Sequence, residues 1–239
     1  MYTFLLTMNL AILLVTLFAQ KSGRYKSLRE QTYEKKLRNL QGYEHVIGVD
    51  ESGGSGSWAG PLVAAAVTIL EDDHEAMIGV DDSKQLTRQK QLEIYDIITS
   101  NPTKFAWTVA TSSPEEIDSM QVSPAGRKAM LKCVKSLFKE NSNLVPDESY
   151  AIFDGHRRPK YCPCIGRPMV NGDSLCYTVA LASIIAKVSR DRIMQAYAKE
   201  YPVYGFDKHR GHGTMDHLRA LHIHGPSPIH RKSVKAVKE

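Results

Sequence analysis

Cysteine is scarce in this chain, with only four among 239 residues, and no two of them form a Cys-x-x-Cys pair. A disulfide scaffold is therefore excluded, and a reducing, cytoplasmic setting is the default. Sixteen glycines and eleven prolines are too few for a collagen-like or low-complexity chain. No internal repeat occurs, and no clear linker follows Gly42. What is present is ordinary for a globular protein: 42% hydrophobic and 24% charged residues, which together exclude global disorder. The length is enough for a hydrophobic core without staples, and a formal net charge of +5 leans toward polyanionic partners.

Charge is missing altogether from Phe4 to Ala19, and the first cations then arrive together as Lys21, Arg24, Lys26 and Arg29. As a helix, those residues would span about 24 Å, short of the roughly 30 Å hydrocarbon core, whereas Met1 to Gln20 would just reach. A signal peptide fits poorly, because cations are lacking before the apolar run and Leu17-Phe18-Ala19 is a weak cleavage site. Residues 1–20 thus form an apolar segment, expected to be a membrane anchor with the body on the cytoplasmic side, a helix packed on that body, or an upstream extension outside the working protein. Residues 21–42 alternate charges with Tyr25, Leu28, Tyr33, Leu37 and Leu40, which predicts an amphipathic helix.

Residues 43–239 alternate strand and helix signals. Strands are predicted at His45–Val49, Leu62–Leu70, Phe105–Thr111 and Tyr150–Phe153, and helices at Thr87–Thr99, Ala125–Glu140 and Ser174–Glu200. That alternation implies an α/β domain with a mixed central sheet. The last stretch, Tyr201 to Glu239, is rich in Pro, Gly, His and Lys and reads as a basic C-terminal lobe or tail.

Three acidic positions fall at strand ends or a helix start beside glycine: Asp50-Glu51, Asp154 before Gly155, and Asp173 after Gly172. Taken singly they are a loop entry, a turn and a helix cap. Together they describe carboxylates gathered where ligand sites collect in α/β sheets, whose repulsion a hard divalent cation would relieve. Adjacent strand residues face opposite sides, so Asp50 and Glu51 are expected to share a site by the backbone leaving the strand, which the following glycines permit. The loop Gly53-Gly54-Ser55-Gly56-Ser57-Trp58-Ala59-Gly60 is no Walker A loop, since no Gly-Lys-Ser/Thr follows and a strand rather than a helix comes next. Its glycines would let backbone N–H groups approach a sugar or phosphate.

The strings Val46-Ile47-Gly48-Val49-Asp50-Glu51-Ser52-Gly53, Ala59 to Val67, and Asp81-Asp82-Ser83-Lys84-Gln85-Leu86 resemble the N-terminal half of type 2 ribonucleases H, the ribonuclease HII family. Phe153-Asp154-Gly155, Gly172-Asp173-Ser174, Ala182 to Arg192 and Tyr201 to Phe206 follow that family in order, so the resemblance runs from about Gly42 to His230. It implies a ribonuclease H-like fold, a mixed sheet flanked by helices with a C-terminal helical segment. It also implies endonucleolytic cleavage of the RNA strand of an RNA/DNA hybrid, with Mg²⁺ or Mn²⁺, to 5′-phosphate and 3′-hydroxyl ends. By resemblance, Asp50, Glu51, Asp154 and Asp173 are the catalytic residues and metal ligands. Their chemistry agrees, because phosphodiester hydrolysis uses cations about 4 Å apart to activate water and neutralise the leaving oxygen.

Two departures from the family lie where it reads the ribose. Its arginine after Asp-Glu-x-Gly is missing, replaced by the longer Gly54-Ser55-Gly56, and its tyrosine in His-Lys-Gly-Tyr-Gly-Thr is His212 in His209-Arg210-Gly211-His212-Gly213-Thr214. Recognition of single ribonucleotides in DNA is therefore expected to be weakened or altered while the carboxylates are retained. Gly53, Gly54, Ser55, Gly56 and His212 remain candidate nucleic-acid contacts, together with Ser83, Lys84, Lys187 and Arg190. Lys187 and Arg190 are three apart and predicted to share a helix face, where Asp191 could also make them a plain salt-bridged surface. Lys208, Arg210, Arg231, Lys232, Lys235 and Lys238 add positive charge suited to a duplex backbone. His209, His212, His217, His222, His224 and His230 match no common zinc spacing and read as loop histidines that gain charge as pH falls toward 6. Cys162-Pro163-Cys164, with His156 nearby, reads as a reduced loop, since a metal site would need a second half.

The leading expectation is a monomeric, metal-dependent endoribonuclease that binds RNA/DNA hybrid duplexes. The alternatives are a catalytically inactive nucleic-acid-binding protein, against which four mutually repelling carboxylates argue, and a DNA nuclease of the same fold.

Overall fold

Residues 33–70 and 86–238 are described by the computed structural model. The apolar segment 1–20, the first part of the predicted 21–42 helix, and Ser83 and Lys84 lie outside the described residues. Among the described residues no helix is long and apolar enough to cross a membrane.

Five strands form one mixed sheet in the order β3-β2-β1-β4-β5: β1 (His45–Ser52), β2 (Leu62–Ile69), β3 (Phe105–Ser112), β4 (Ser149–Asp154) and β5 (Ile165–Met169). The first three make an antiparallel meander, while β4 and β5 run parallel to β1. β2 reads Leu-Val-Ala-Ala-Ala-Val-Thr-Ile and is buried along its whole length, because helices cover both faces. On one face α4 (Val122–Glu140) packs Ala125, Ala129, Met130, Cys133, Val134 and Leu137 against Ile47, Val49, Ala64 and Phe153. On the other, α2 (Arg88–Ser100) and α6 (Tyr177–Glu200) cover Ala65, Val67 and Ile69. Polar side chains inside these layers are satisfied locally: Thr68 Oγ1 donates to the Val46 carbonyl at 2.9 Å and Thr108 Oγ1 to that of Cys133 at 2.9 Å.

Between β3 and α4 lies α3 (Pro114–Met120), opened by a capping box in which Ser113 and Glu116 exchange side-chain-to-backbone bonds. The predicted helix from Ser174 is in fact two, α5 (Gly172–Leu175) and α6, separated by an extended Cys176 at φ −130°, ψ 126°. Cys176 supplies no side-chain cap to α6. Instead Glu34, on α1 (Tyr33–Gln41), accepts from the Thr178 N–H at 3.0 Å and the Thr178 hydroxyl at 3.3 Å. A carboxylate is well suited to the positive end of a helix. Burial raises its pKa, and these bonds pull against that shift. β5 escapes sequence reading because Ile-Gly-Arg-Pro-Met has neither alternation nor a β-rich composition, and its proline is tolerated only because the strand lies at the sheet edge.

One contact sets how α6 lies on the sheet. A Cβ on Gly48, in the middle of β1, would fall 2.0 Å from the Thr178 carbonyl carbon and 2.2 Å from the Val179 nitrogen. Backbone meets backbone there, so no side chain fits.

The C-terminal residues are ordered as a lobe: α7 (Phe206–His209), α8 (Met215–His224) and α9 (Lys235–Lys238), with a 3₁₀ turn at Pro202–Tyr204. Tyr204, Phe206, Ala220, Leu221, Ile229 and Val237 form its core with Ala59 and Met194.

These contacts rank two substitutions. Gly48→Ala is expected to cost about 3 kcal/mol or more, because helix backbone cannot rotate out of the way as a side chain can. Glu34→Ala, which removes a cap and opens no deep cavity, should cost about 1–2 kcal/mol. Urea unfolding of both variants beside the parent protein checks the order.

Candidate active site

β1 continues through Asp50 and Glu51 to Ser52, in register Asp50↔Ala65 and Glu51↔Ala64 with β2. The expectation that the backbone leaves the strand at this pair is therefore corrected. The two carboxylates keep strand alternation and point to opposite faces. Asp50, 7% exposed, turns toward α6, where Ser183 hydrogen-bonds its carboxylate, and its Oδ1 also accepts the Glu51 N–H at 2.7 Å. Glu51 turns toward α4, close enough that a Cβ on Gly126 would lie 3.8 Å from its carboxyl carbon.

Asp154 joins them. It ends β4, the parallel neighbour of β1, so its charge reaches both sides of the β1 terminus. Burial first, then the charges of Asp154 and Glu51, push the Asp50 carboxyl up to about 8. Burial and Asp154 push Glu51 up to about 7. Asp154 Oδ1 in turn accepts the Gly172 N–H at 2.7 Å, which ties β4 to α5 and sets the next residue, Asp173, beside it at 1% exposure. All four predicted carboxylates thus sit around one end of the sheet, at β1, β4 and α5.

This donor set suits a hard divalent cation, since every candidate ligand is a carboxylate oxygen and burial, with repulsion between neighbours, raises the pKa values of Asp50 and Glu51, a shift that a cation would oppose. Among the described residues no three Asp, Glu, His or Cys side chains already converge as a finished cage.

The glycine-rich loop is held from below by two buried arginines, which sequence reading put in contact with nucleic acid. Arg231 is fully buried and donates to three loop carbonyls: Nε to Gly60 at 3.0 Å, Nη1 to Gly54 at 2.9 Å and Nη2 to Gly53 at 2.6 Å. Arg190, also fully buried, donates from Nε to the Pro61 carbonyl at 3.0 Å and from Nη2 to Ser57 Oγ and the Ala59 carbonyl, each at 3.2 Å. Both guanidiniums turn inward and satisfy carbonyls that a tight loop leaves unpaired. Gly53 is obligatory here: its φ is +85°, and a Cβ would lie 2.1 Å from Arg190 Nε.

Of the two readings of Lys187 and Arg190, the salt bridge to Asp191 holds for Lys187, while a shared solvent face is corrected by the burial of Arg190. Lys187 stays partly exposed and pairs with Asp191 at 2.6 Å, while Arg190 turns inward. Arg88 at 3.6 Å and Arg210 at 3.9 Å also flank Asp191, so one buried carboxylate gathers three cations. The role of Arg88 was not signalled by the sequence, because it depends on α2 packing beside α6.

The loop rim is closed by the C-terminal lobe. Ser57 and His212 form an antiparallel bridge, as do Ala59 and His230, and the Gly213 N–H donates to the Gly56 carbonyl at 3.0 Å. His212 is exposed beside Ser55 and Gly56. Burial, then the charges of Arg190 and Lys187, lower its pKa.

Two of the histidines expected to be charged loop residues are buried instead. The Ser227 N–H donates to His230 Nδ1 at 2.9 Å, so the His230 proton sits on Nε2 and points at His217 Nε2, 2.9 Å away. His217 then carries its proton on Nδ1 and donates to the His212 carbonyl at 2.9 Å. The chain is satisfied with both rings neutral. Burial foremost lowers both to about 4.

Residues 47–237 match the family model described as Ribonuclease HII. Curated proteins named Ribonuclease HII are similar to it: the Bacillus licheniformis protein is 39% identical over 230 residues, covering 94% of this chain and 84% of that one. The Chlamydia muridarum protein is 39% identical over 211 residues, covering 88% and 91%. Among solved structures, the ribonuclease H2 from Pyrococcus horikoshii OT3 superposes with a TM-score of 0.65 at 25% identity, covering 81% of this chain and 95% of that one.

The buried histidine pair predicts an acid sensitivity of known sign. Each folded-state value, about 4, lies below the ordinary 6.5. The unfolded chain therefore binds more protons between those limits, and the pair's contribution is complete above pH 6.5 and lost as pH falls toward 4. His217→Gln with His230→Gln should flatten that part of the profile. Urea midpoints of parent and double variant at pH 4.5 and 7.5 measure it.

Proposed function

The chain belongs to the ribonuclease HII family, and from that premise we propose that residues 43–239 form a metal-dependent endoribonuclease domain that cleaves the RNA strand of RNA/DNA hybrids. The observation that carries the proposal is the gathering of Asp50, Glu51 and Asp154 at neighbouring strand ends, where the Asp154 charge adds to burial in raising the cost of ionising Asp50 and Glu51. Asp173 is buried beside them.

Asp50, Glu51, Asp154 and Asp173 would hold the divalent cations, Mg²⁺ or Mn²⁺. When bound, such cations supply a nucleophilic water and charge neutralisation at the leaving 3′-oxygen, giving 5′-phosphate and 3′-hydroxyl ends. Ser183 orients Asp50 from α6, and the Gly172 N–H orients Asp154. Arg190 and Arg231 fix the loop backbone, so that Gly53, Gly54, Ser55 and Gly56 can present backbone groups to a ribose 2′-hydroxyl. The cations around Asp191 (Lys187, Arg88 and Arg210) are the proposed contacts to the duplex backbone.

Reading of an isolated ribonucleotide is proposed to be weaker than cleavage of a continuous hybrid. The loop carries no arginine of its own, and the two guanidiniums nearest it are committed to its carbonyls from below. At position 212 a small imidazole, its pKa lowered by partial burial and by the charges of Arg190 and Lys187, stands where the family has a tyrosine ring.

Two assays test this reading. Asp50→Asn should lower hybrid cleavage at least about 100-fold, since losing even an outer partner of a metal ligand costs 10–100-fold. The parent enzyme, given Mg²⁺ or Mn²⁺ and RNA/DNA, RNA/RNA and DNA/DNA duplexes, should cut only the first. A long hybrid should also be cut faster than a DNA duplex with one ribonucleotide; equal rates would refute the altered-recognition claim while leaving the nuclease reading intact.

A further inference from the structure

The connection from β4 to β5 carries Cys162-Pro163-Cys164, which phosphodiester chemistry leaves unused. Cys162 precedes a proline, which favours an extended backbone at that residue. Pro163 and Cys164 then form a bend that leads into β5 at Ile165. Both thiols pack on the α4 face. Cys164, 6% exposed, belongs to that core, Cys162 lies partly buried against it, and their sulfurs are 3.8 Å apart.

The other two cysteines are differently placed. Cys133 and Cys176 are fully buried, the first donating to the Ala64 carbonyl at 3.2 Å and the second set 3.3 Å from the Met169 sulfur. Burial pushes the Cys133 thiol up to about 12 and raises that of Cys176 as well. Neither has a thiol partner.

Within the close pair the thiols are unequal. Cys162 is the more accessible. The hydrogen bond from Cys164, with help from the positive charges of Arg158 and Lys135, brings its thiol down to about 7. Cys164 is held up by that same bond and by burial. An accessible thiolate backed by a shielded thiol is the arrangement of an attacking and a resolving cysteine. A soft-metal site is the less suitable reading, since no third His, Cys, Asp or Glu among the described residues joins the pair.

We propose that Cys162 and Cys164 are a reversible dithiol–disulfide couple that exchanges with low-molecular-weight disulfides of the glutathione type. The Cys162 thiolate attacks one sulfur of the small disulfide, forming a mixed disulfide and expelling one thiolate, which takes a proton from water. Cys164 then gives its proton to solvent and attacks the Cys162 sulfur, releasing the second small thiol. Two protein thiols are oxidised and one disulfide is reduced to two thiols, so electrons and protons balance. Closure from 3.8 Å to the roughly 2.05 Å of a disulfide asks for movement at the partly exposed Cys162 end. The pair precedes Ile165 at the start of β5, whereas Asp154 is in register with Met169 at its end. The relevant readout is therefore thiol state rather than cleavage rate.

The test equilibrates the folded full-length protein with mixtures of reduced and oxidised glutathione at pH 7.5, quenches by alkylation and reads intact mass and peptides. The expected result is loss of two alkylatable thiols per chain, mapped to Cys162 and Cys164, varying with the glutathione ratio and reversed by excess reduced glutathione. Cys164→Ala should stop at a stable glutathione adduct on Cys162, and Cys162→Ser should keep its remaining thiols. A persistent adduct on the parent protein, or no change at any ratio, would overturn the proposal.

Discussion

The rest of the site depends on the contact between the start of α6 and the middle of β1, where Gly48 leaves no side chain between the helix backbone and the strand. Because α6 lies that close, Asp173, just before it, arrives beside the ends of β1 and β4. Ser183, two turns along, reaches Asp50. Arg190, two turns further, passes under the loop that follows β1. Glu34 secures the same helix from its N-terminal end. A single helix therefore supports the carboxylates, the loop and the flanking cations, and its distance from the sheet sets all three.

The charges are arranged in opposed layers. Carboxylates are buried and crowded at the sheet end, which raises the pKa values of Asp50 and Glu51. Beneath the adjacent loop two arginines are buried until desolvation lowers their pKa values, to about 10 for Arg190 and about 9 for Arg231. Each arrangement would be costly alone. The arginines are compensated by loop carbonyls, and the carboxylates are suited to compensation by cations. The loop is thus pinned by two buried arginines next to the cluster of carboxylates.

Much of this was legible before any coordinates. The four carboxylates stood out because each followed a β-rich apolar run or opened a helix beside glycine, and the ordered motifs from Val46 to Phe206 pointed to the right family. Helices α2 and α4 were readable within a few residues from their apolar spacing. β5 was not, since an edge strand needs no alternation. The break at Cys176 was hidden inside a continuous apolar pattern. Arg190, Arg231, His217 and His230 were misjudged for one reason: polar residues in a basic, histidine-rich stretch read as solvated, and only long-range partners such as the Gly53 and Gly54 carbonyls make their burial tolerable.

By itself the sequence determined the α/β class, the family, and the identity of the acidic residues at the strand ends, because those follow from local periodicity and from motifs contiguous in the chain. Only the tertiary structure decided that Asp50 and Glu51 serve opposite faces of one strand, that Asp154 couples them, and that the loop is held by arginines 129 and 178 residues away along the chain. Those are contacts between segments far apart in sequence. Whether a guanidinium meets solvent or a carbonyl is set by what the fold brings beside it, which no local pattern encodes.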